Sequence, residues 1–556
     1  MDGDQVGRSQ EPLSDHMGLI PLLASASYPA TALRVLAEAG VVRFTGPFTL
    51  ATLGRVLGTW GTGLVGGMRA AAVRFPDSVG LIDDLGELTY REIDERGIAT
   101  AHEFASMGVS EGDAVAVMCR NHRGLIDATL GAMNLGADVL FLNTAFAAPQ
   151  LADVISRERP SVVVFDQEFA DLVAQAGLTQ DRVLAWCEAD PGDGVTLESL
   201  VASGSRTPLS APSRPGRAII LTSGTTGTPK GAPRGNSKIS AAVALLSRMP
   251  LRHGGRTHIA APLFHTWGWA HLSIAMLLGS TVVVTRKFQP AEMLELLQAQ
   301  RCDALAVIPV MLQRTLQLPN DVLDDADLTR LRVVASSGSA LPGELALAWM
   351  DRFGDHLYNI YGSTEVAWVS IATPEDLRAA PTCAGRPPVG TTVRLYDDAD
   401  QEVEDGAAGR IFVGNSMLFE GYTGGGDKTR IDGLMSSGDV GRFDADGRLF
   451  VEGRDDDMIV SGGENVFPQE VEHVLSDHPD VVEAAAIGVS DEEFGQRLRA
   501  FVVLKEGAEA DASALQDHVR AHLARYKVPR DVVFLAELPR NATGKILKRT
   551  LNDPSE

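Results

Sequence analysis

The chain has 556 residues, of which 45% are apolar, and a formal net charge of −24. That length and apolar share allow more than one packed core and exclude global disorder. The acidic balance excludes broad attraction to nucleic acid or to an anionic bilayer, so an anionic substrate must meet local positive charge. The four cysteines, Cys119, Cys187, Cys302 and Cys383, form no C-x-x-C pair. They argue against a zinc site or a disulfide framework, and for reduced thiols in the cytoplasm. Met1 to Glu11 is polar and acidic, unlike a secretory leader, and no apolar run reaches the length of a membrane span.

Residues 1–65 read as an N-terminal extension. Within residues 30–39 the positions Leu33, Leu36 and Ala37 recur at helical spacing, with Pro29 suited to the first turn and Gly40 as a stop. Residues 50–73 are Gly-rich and apolar, with Trp60 among them. They read as an amphipathic segment on a membrane surface or as helix packed on the main body. Packing is favoured, because Gly weakens a helix and basic residues are few. From Val79 strand-like runs alternate with helical stretches. Residues 87–94 turn from strand into helix, with Thr89 as N-cap. Residues 114–119, 138–143, 162–165 and 183–186 are strand patterns, and the alternation predicts parallel sheets. A second α/β block spans residues 239–334. Residues 409–414 and 448–451 read as hairpin strands. From Ile459 the alternation shortens, as in a small α+β domain.

Between the two blocks lies the most telling stretch, L-T-S-G-T-T-G-T-P-K-G at residues 221–231. Glycine allows a tight turn and close approach of backbone to ligand. Consecutive N–H groups in such a loop form a nest for an anion. The hydroxyls of Thr222, Ser223, Thr225 and Thr226 add donors, and Lys230 adds a mobile cation. This is a device for holding polyphosphate. It departs from the P-loop pattern, since Pro229 precedes the Lys and Gly231 follows it. A flexible Ser/Thr/Gly linker fits less well, because the strand-like Ala218-Ile219-Ile220 leads straight into it.

This stretch resembles the phosphate loop of the adenylate-forming superfamily, which comprises acyl-CoA synthetases, peptide-synthetase adenylation domains and luciferases. The resemblance runs from about Ala70 to near the C-terminus, with further motifs in the same order. They are A-S-S-G-S-A-L-P at 335–342, N-I-Y-G-S-T-E at 359–365, S-G-D at 437–439, G-R-D-D-D-M-I-V-S-G-G-E at 453–464 and L-P-R-N-A-T-G-K at 538–545. It implies that residues 222–227, with Gly224 and Gly227, and Lys230 hold the ATP phosphates. It lays the backbone of Gly338, Ser339 and Ala340 against adenine, with Ser337 and Ser339 standing where the family keeps Gly and Ala. It gives Tyr361 the adenine face, Asn359 the adenine edge, with Gly362 beside them, and Thr364 the α-phosphate. Glu365 becomes the oxygen ligand of Mg²⁺. Asp439 and Arg454 meet the ribose. Asp456 is the pivot of a hinge, and Ser461, Gly462 and Gly463 face the pantetheine arm of coenzyme A. Lys545 bridges the substrate carboxylate and the α-phosphate.

P-L-F-H-T-W-G at 262–268 is similar to a segment of acyl-CoA ligases. His265 stands where amino-acid adenylation domains keep Asp, which disfavours a free amino acid. His265 and Trp267 are then expected near the carboxylate end of an apolar acid. The resemblance implies a large α/β N-terminal domain with a β-rich part, residues 66–453, a hinge at 454–457 and a small α+β domain at 458–556. It implies a two-step reaction with ATP, Mg²⁺ and CoA on a small-molecule carboxylic acid, expected to be a medium- or long-chain fatty acid. An aryl-acid:CoA ligase, a fatty acyl-AMP ligase that loads a carrier protein and a non-catalytic binding protein stay open as alternatives. Nucleic acid is not an expected partner. A cytoplasmic location is expected, and peripheral membrane contact through the extension and a homodimer are left open.

Overall fold

The computed structural model of the protein describes residues 28–42, 46–222, 230–234, 239–423, 427–455, 459–461, 464–466, 468–491, 495–523, 527–541 and 544–552. Among these the strands form four sheets. The first runs Ala367–Ala372, Leu357–Ser363, Val333–Ser336, Ala304–Val307, Arg256–Ile259, Thr281–Val283, Val79–Asp83, Gly86–Thr89. Its inner pairs are parallel and its two edge pairs antiparallel. The second runs Asp181–Trp186, Val162–Asp166, Ala114–Met118, Asp138–Phe141, Ala218–Thr222, Lys230–Arg234, and is parallel except for the last hairpin. Strands covered on both faces need continuous apolar runs, and Val162–Asp166 is buried throughout.

The third sheet is antiparallel and built around Leu434–Phe443, which pairs with Gly409–Gly414, Arg430–Ile431 and Leu449–Arg454. The fourth belongs to the small C-terminal domain, where Val481–Asp491 and Gly495–Leu504 form a long hairpin backed by helices Pro468–Ser476 and Ala512–His522. Thr89 caps helix Tyr90–Ser106 in a reciprocal box with Glu92, as its sequence predicts.

The described part of the N-terminal extension holds α1 (Tyr28–Glu38) and α2 (Pro47–Trp60), followed by α3 (Leu64–Arg74). Packing wins over surface lying for α3, whose Leu64, Val65, Met68 and Ala71 enter the main core. Its Gly67 lets it come close to a neighbouring helix. A Cβ there would stand 3.3 Å from the Leu277 backbone of helix Thr266–Leu278. By contrast α2 buries none of its side chains, and Phe48 is 89% exposed. Among the described residues no helix is long and apolar enough to cross a membrane.

Cys119, His122 and Asp166 converge in the core, which sequence spacing did not indicate. His122 Nε2 faces Asp166 Oδ1 at 2.8 Å, and its Nδ1 accepts from the Gly124 N–H at 3.0 Å. Both ring nitrogens are thus occupied, and the cluster reads as a satisfied core network.

Burial also holds His258, His265, His271 and His356 neutral, each pushed down to about 4 from 6.5. Between those values the unfolded chain binds protons that the folded chain refuses. Their contribution is therefore complete above 6.5 and is lost as pH falls toward 4. Thermal unfolding should move to lower temperature as pH drops from 7 to about 5. His271→Phe keeps the ring edge against Trp267 and should flatten that slope. A wild-type midpoint that stays level across this range, read by scanning fluorimetry, would show that these rings take up protons without unfolding.

Candidate active site

Parallel strands all end at the same sheet edge, so the loops that leave them gather there and ligands collect beyond the carboxyl ends. Both parallel sheets obey this rule around one cavity of about 2160 Å³. Ala261, Pro262 and His265 reach it from the end of Arg256–Ile259, and Ile308 to Val310 from the end of Ala304–Val307. Ser337 to Pro342 arrive from Val333–Ser336, and Asn359 to Glu365 form the end of Leu357–Ser363 and the turn after it. The second sheet contributes Asn143, Ala145, Phe146 and Leu221.

Most of the residues singled out by sequence line this single space: His265, Trp267, Gly338, Ser339, Ala340, Asn359, Tyr361, Gly362, Thr364, Glu365, Asp439, Arg454 and Lys545. Thr222 and Lys230 pair across the last hairpin of the second sheet and so close the ends of the glycine-rich loop. Ser223, Gly224, Thr225, Thr226 and Gly227 lie outside the described residues, as do Asp456, Gly462 and Gly463. Ser461 ends a short strand, Ile459–Ser461. Ser337 does not stand in the way of the neighbouring backbone, because its hydroxyl donates to the Ile360 carbonyl at 2.8 Å.

Strand register brings the two residues expected at the ribose together, since Asp439 lies opposite Arg454 in the antiparallel ladder. Their charged groups stand 3.6 Å apart. The Tyr361 hydroxyl donates to Asp439. Burial pushes the Asp439 carboxyl up, against that bond and the charges of Arg454, Lys545 and Lys428. Burial and the Asp439 charge push the Tyr361 phenol well up, so it remains a donor.

Glu365 presents two acceptor oxygens. One takes the Tyr422 hydroxyl and the other the Ser363 hydroxyl, each at 2.9 Å. A carboxylate oxygen keeps a second lone pair after one such bond. Hard oxygen donors with capacity to spare fit Mg²⁺. Thr364 lies 3.4 Å from the Thr266 hydroxyl, at the start of helix Thr266–Leu278.

His265 sits just before that helix against Phe264, with its Nε2 sealed from solvent and without a hydrogen-bond partner among the described residues. A neutral ring with an unanswered nitrogen at a cavity wall is a hydrogen-bonding group awaiting a ligand. The Trp267 indole N–H donates to the Val307 carbonyl at 3.0 Å, which leaves only its ring to meet substrate.

Lys545 is carried in by the small domain. Its N–H donates to Asn541 Oδ1 at 2.9 Å, and Arg540 donates to the Gly544 carbonyl at 2.6 Å. Gly544 has φ +78°, and a Cβ there would stand 2.7 Å from Val310 Cγ1 of the large domain. Only glycine satisfies both the turn and this contact. The loop is thus docked, with Lys545 lining the same cavity as Thr364 and His265.

Sequence reasoning missed Tyr422 and Lys428, which carry no local signature, and gave no role to Arg540 within the L-P-R-N-A-T-G-K motif. It also missed the face Thr266, Trp269, Ala270, Ser273, Ile274 and Leu277, although its spacing of three and four from Thr266 was readable.

The AMP-binding enzyme model matches residues 68–423, and the AMP-binding enzyme C-terminal domain model matches residues 470–545. The chain is 31% identical to an indoleacetate–CoA ligase of Aromatoleum aromaticum over 86% of its own length and 93% of the relative's. It is 33% identical to a feruloyl-CoA synthase of an Amycolatopsis species over 83% and 92%. Among solved structures, an anthranilate CoA ligase holding anthranoyl-AMP superposes with a TM-score of 0.80 at 26% identity, covering 88% of this chain and 96% of that one. With two family domains in order, ATP and CoA as its substrates and one cavity shared by both domains, the chain belongs to the AMP-binding enzyme family as an AMP-forming acid–CoA ligase.

Proposed function

We propose that the acid is a medium- or long-chain fatty acid, and the observation that carries this is the cavity wall beyond His265. Helix Thr266–Leu278 lines the cavity along one face from Thr266 to Leu277, which is about 16 Å at 1.5 Å per residue. Leu64, Val65, Met133, Phe146 and Leu245 also line the cavity. The cations that line the described cavity are Lys428, Arg454, Lys505, Arg540, Lys545 and Lys548. All belong to the nucleotide side or the small domain, so nothing in this branch answers a second anion. A long, dry, uncharged branch suits an apolar tail and disfavours dicarboxylic acids, whose far end would be buried unpaired. A second reading, an aryl acid, is favoured by the names of the indoleacetate and feruloyl relatives and by Trp267 and Trp269 in the wall.

In the first step a carboxylate oxygen attacks the α-phosphorus, the bond to the β-phosphate oxygen breaks and pyrophosphate leaves. The residues act by positioning and by meeting charge. Neutral His265 and the docked Lys545 hold the carboxylate end, with Thr364 beside the α-phosphate. Tyr361, Asn359 and the backbone of Gly338 to Ala340 hold adenine, while Asp439 and Arg454 hold the ribose. Glu365 would hold Mg²⁺, which when bound neutralises phosphate charge. In the second step the CoA sulfur attacks the acyl carbon, AMP leaves and the thiol proton goes to solvent. By the resemblance, Ser461, Gly462 and Gly463 would face the pantetheine arm and Asp456 would be the pivot.

Pyrophosphate exchange with a panel of acids tests the substrate class. Saturated straight-chain acids should support exchange, while dicarboxylic acids and free amino acids should not. Exchange confined to aryl acids would select the second reading, and preference for a dicarboxylic acid would overturn both.

Lys545→Ala should slow adenylate formation about 10²–10³-fold, the loss typical of one preorganised charge donor. It should still convert supplied acyl-adenylate and CoA to thioester. Asp456→Pro should do the reverse, because Pro fixes φ and resists rotation. Single-turnover assays of each half-reaction decide; equal loss of both steps in both folded variants would mean that one fixed arrangement serves the whole reaction.

A further inference from the structure

The family model begins at residue 68, yet Thr59, Trp60, Thr62, Gly63, Leu64 and Val65 line the cavity. Their place along it follows from the packing of α3. Gly67 lies against Leu277, at the end of the cavity-lining helix opposite to His265. A Cβ on Gly66 would stand 3.1 Å from the Trp60 carbonyl oxygen, so the end of α2 sits at the same far end. Trp60 is half-buried, packs against the core and lines the cavity.

The ring is also held in place. The Arg69 guanidinium carbon lies 3.8 Å from its centroid. That guanidinium is fixed by a bond of 3.0 Å to Asn134 Oδ1 and by Asp94 at 3.7 Å. Its side chain is only 12% exposed. A cation over an indole face is favourable, more so when partly desolvated. Rigid Arg69 therefore fixes a large apolar plate across the end of the acyl branch.

We propose that Trp60 is a specificity-determining residue, the end wall that sets the length of acid the enzyme accepts. This rests on the acyl branch described above. It adds that the limit comes from the N-terminal extension and not from the matched family domain. Removing the indole should open the branch toward solvent and admit longer tails, with little effect on how a short acid or ATP is held.

The experiment compares full-length wild type, Trp60→Ala and Trp60→Phe on saturated acids of increasing length, reading KM and kcat separately. For acids just beyond the wild-type optimum, Trp60→Ala should raise kcat/KM about 10-fold or more, the usual discrimination for one methylene in an apolar pocket. The gain should come through KM, with KM for ATP unchanged, and Trp60→Phe should fall between. Should Trp60→Ala not fold, Trp60→Leu gives the same reading. If wild type activates no straight-chain acid, the fatty-acid reading fails by itself. The same variants are then compared on para-alkyl aryl acids of increasing length. On whichever series wild type accepts, variant profiles that superpose on wild type overturn the role of Trp60.

Discussion

Everything in this molecule depends on two parallel sheets opening toward the same space. Parallel strands share one carboxyl edge, and the loops that leave them there meet the ligand. Two such edges face each other here, and the loops after Arg256–Ile259, Ala304–Val307, Val333–Ser336 and Asp138–Phe141 meet in one cavity. The antiparallel sheet then adds a ladder position, and the small domain adds a loop. Chemistry distributed over nearly three hundred residues of sequence, from His265 to Lys545, becomes local for that reason alone.

Charge is divided along the cavity. A chain with net charge −24 has to gather positive charge deliberately to hold ATP. The described cations of the cavity come from Lys428 onward, on the β-rich part and the small domain. The opposite branch is walled by the apolar helix Thr266–Leu278 and by α3. His265 stands at the boundary between the two regions. Burial keeps it neutral, so it can meet a carboxylate by hydrogen bonding without adding charge to the dry side.

The parallel sheets were readable because strands buried on both faces must be continuous apolar runs, as at residues 114–119 and 162–165. That the candidate nucleotide residues would share one space was readable because their motifs are short, ordered and chemically loaded. Tyr422 was not, since its meeting with Glu365 arises from tertiary folding across 57 positions. Arg69 and Trp60 were not, for their pairing depends on how α2 turns into α3. The extension itself divided: α3 packs as its apolar spacing suggests, whereas α2 has an apolar composition, fully buries no residue and meets the core through Trp60 at its end. Sequence gave its helical character but no partner for its face.

The docked loop has a consequence for the order of events. Gly544 packs against Val310 and Ile308, and Lys545 lines the same cavity as His265. Another contact between the domains at this face is the long 3.4 Å bond from Gln313 to the Val482 carbonyl. Contacts of that kind are weak and can be exchanged at small cost. On the proposed reading, in which Lys545 meets the carboxylate and the α-phosphate, the glycine seat and those anions together would hold the small domain over the acid. Pyrophosphate release would then remove part of that anionic charge, and with it part of what keeps Lys545 in place. The chemistry of the first step would therefore loosen the arrangement that performs it, and the thiol would approach an acyl carbon that the lysine loop no longer covers.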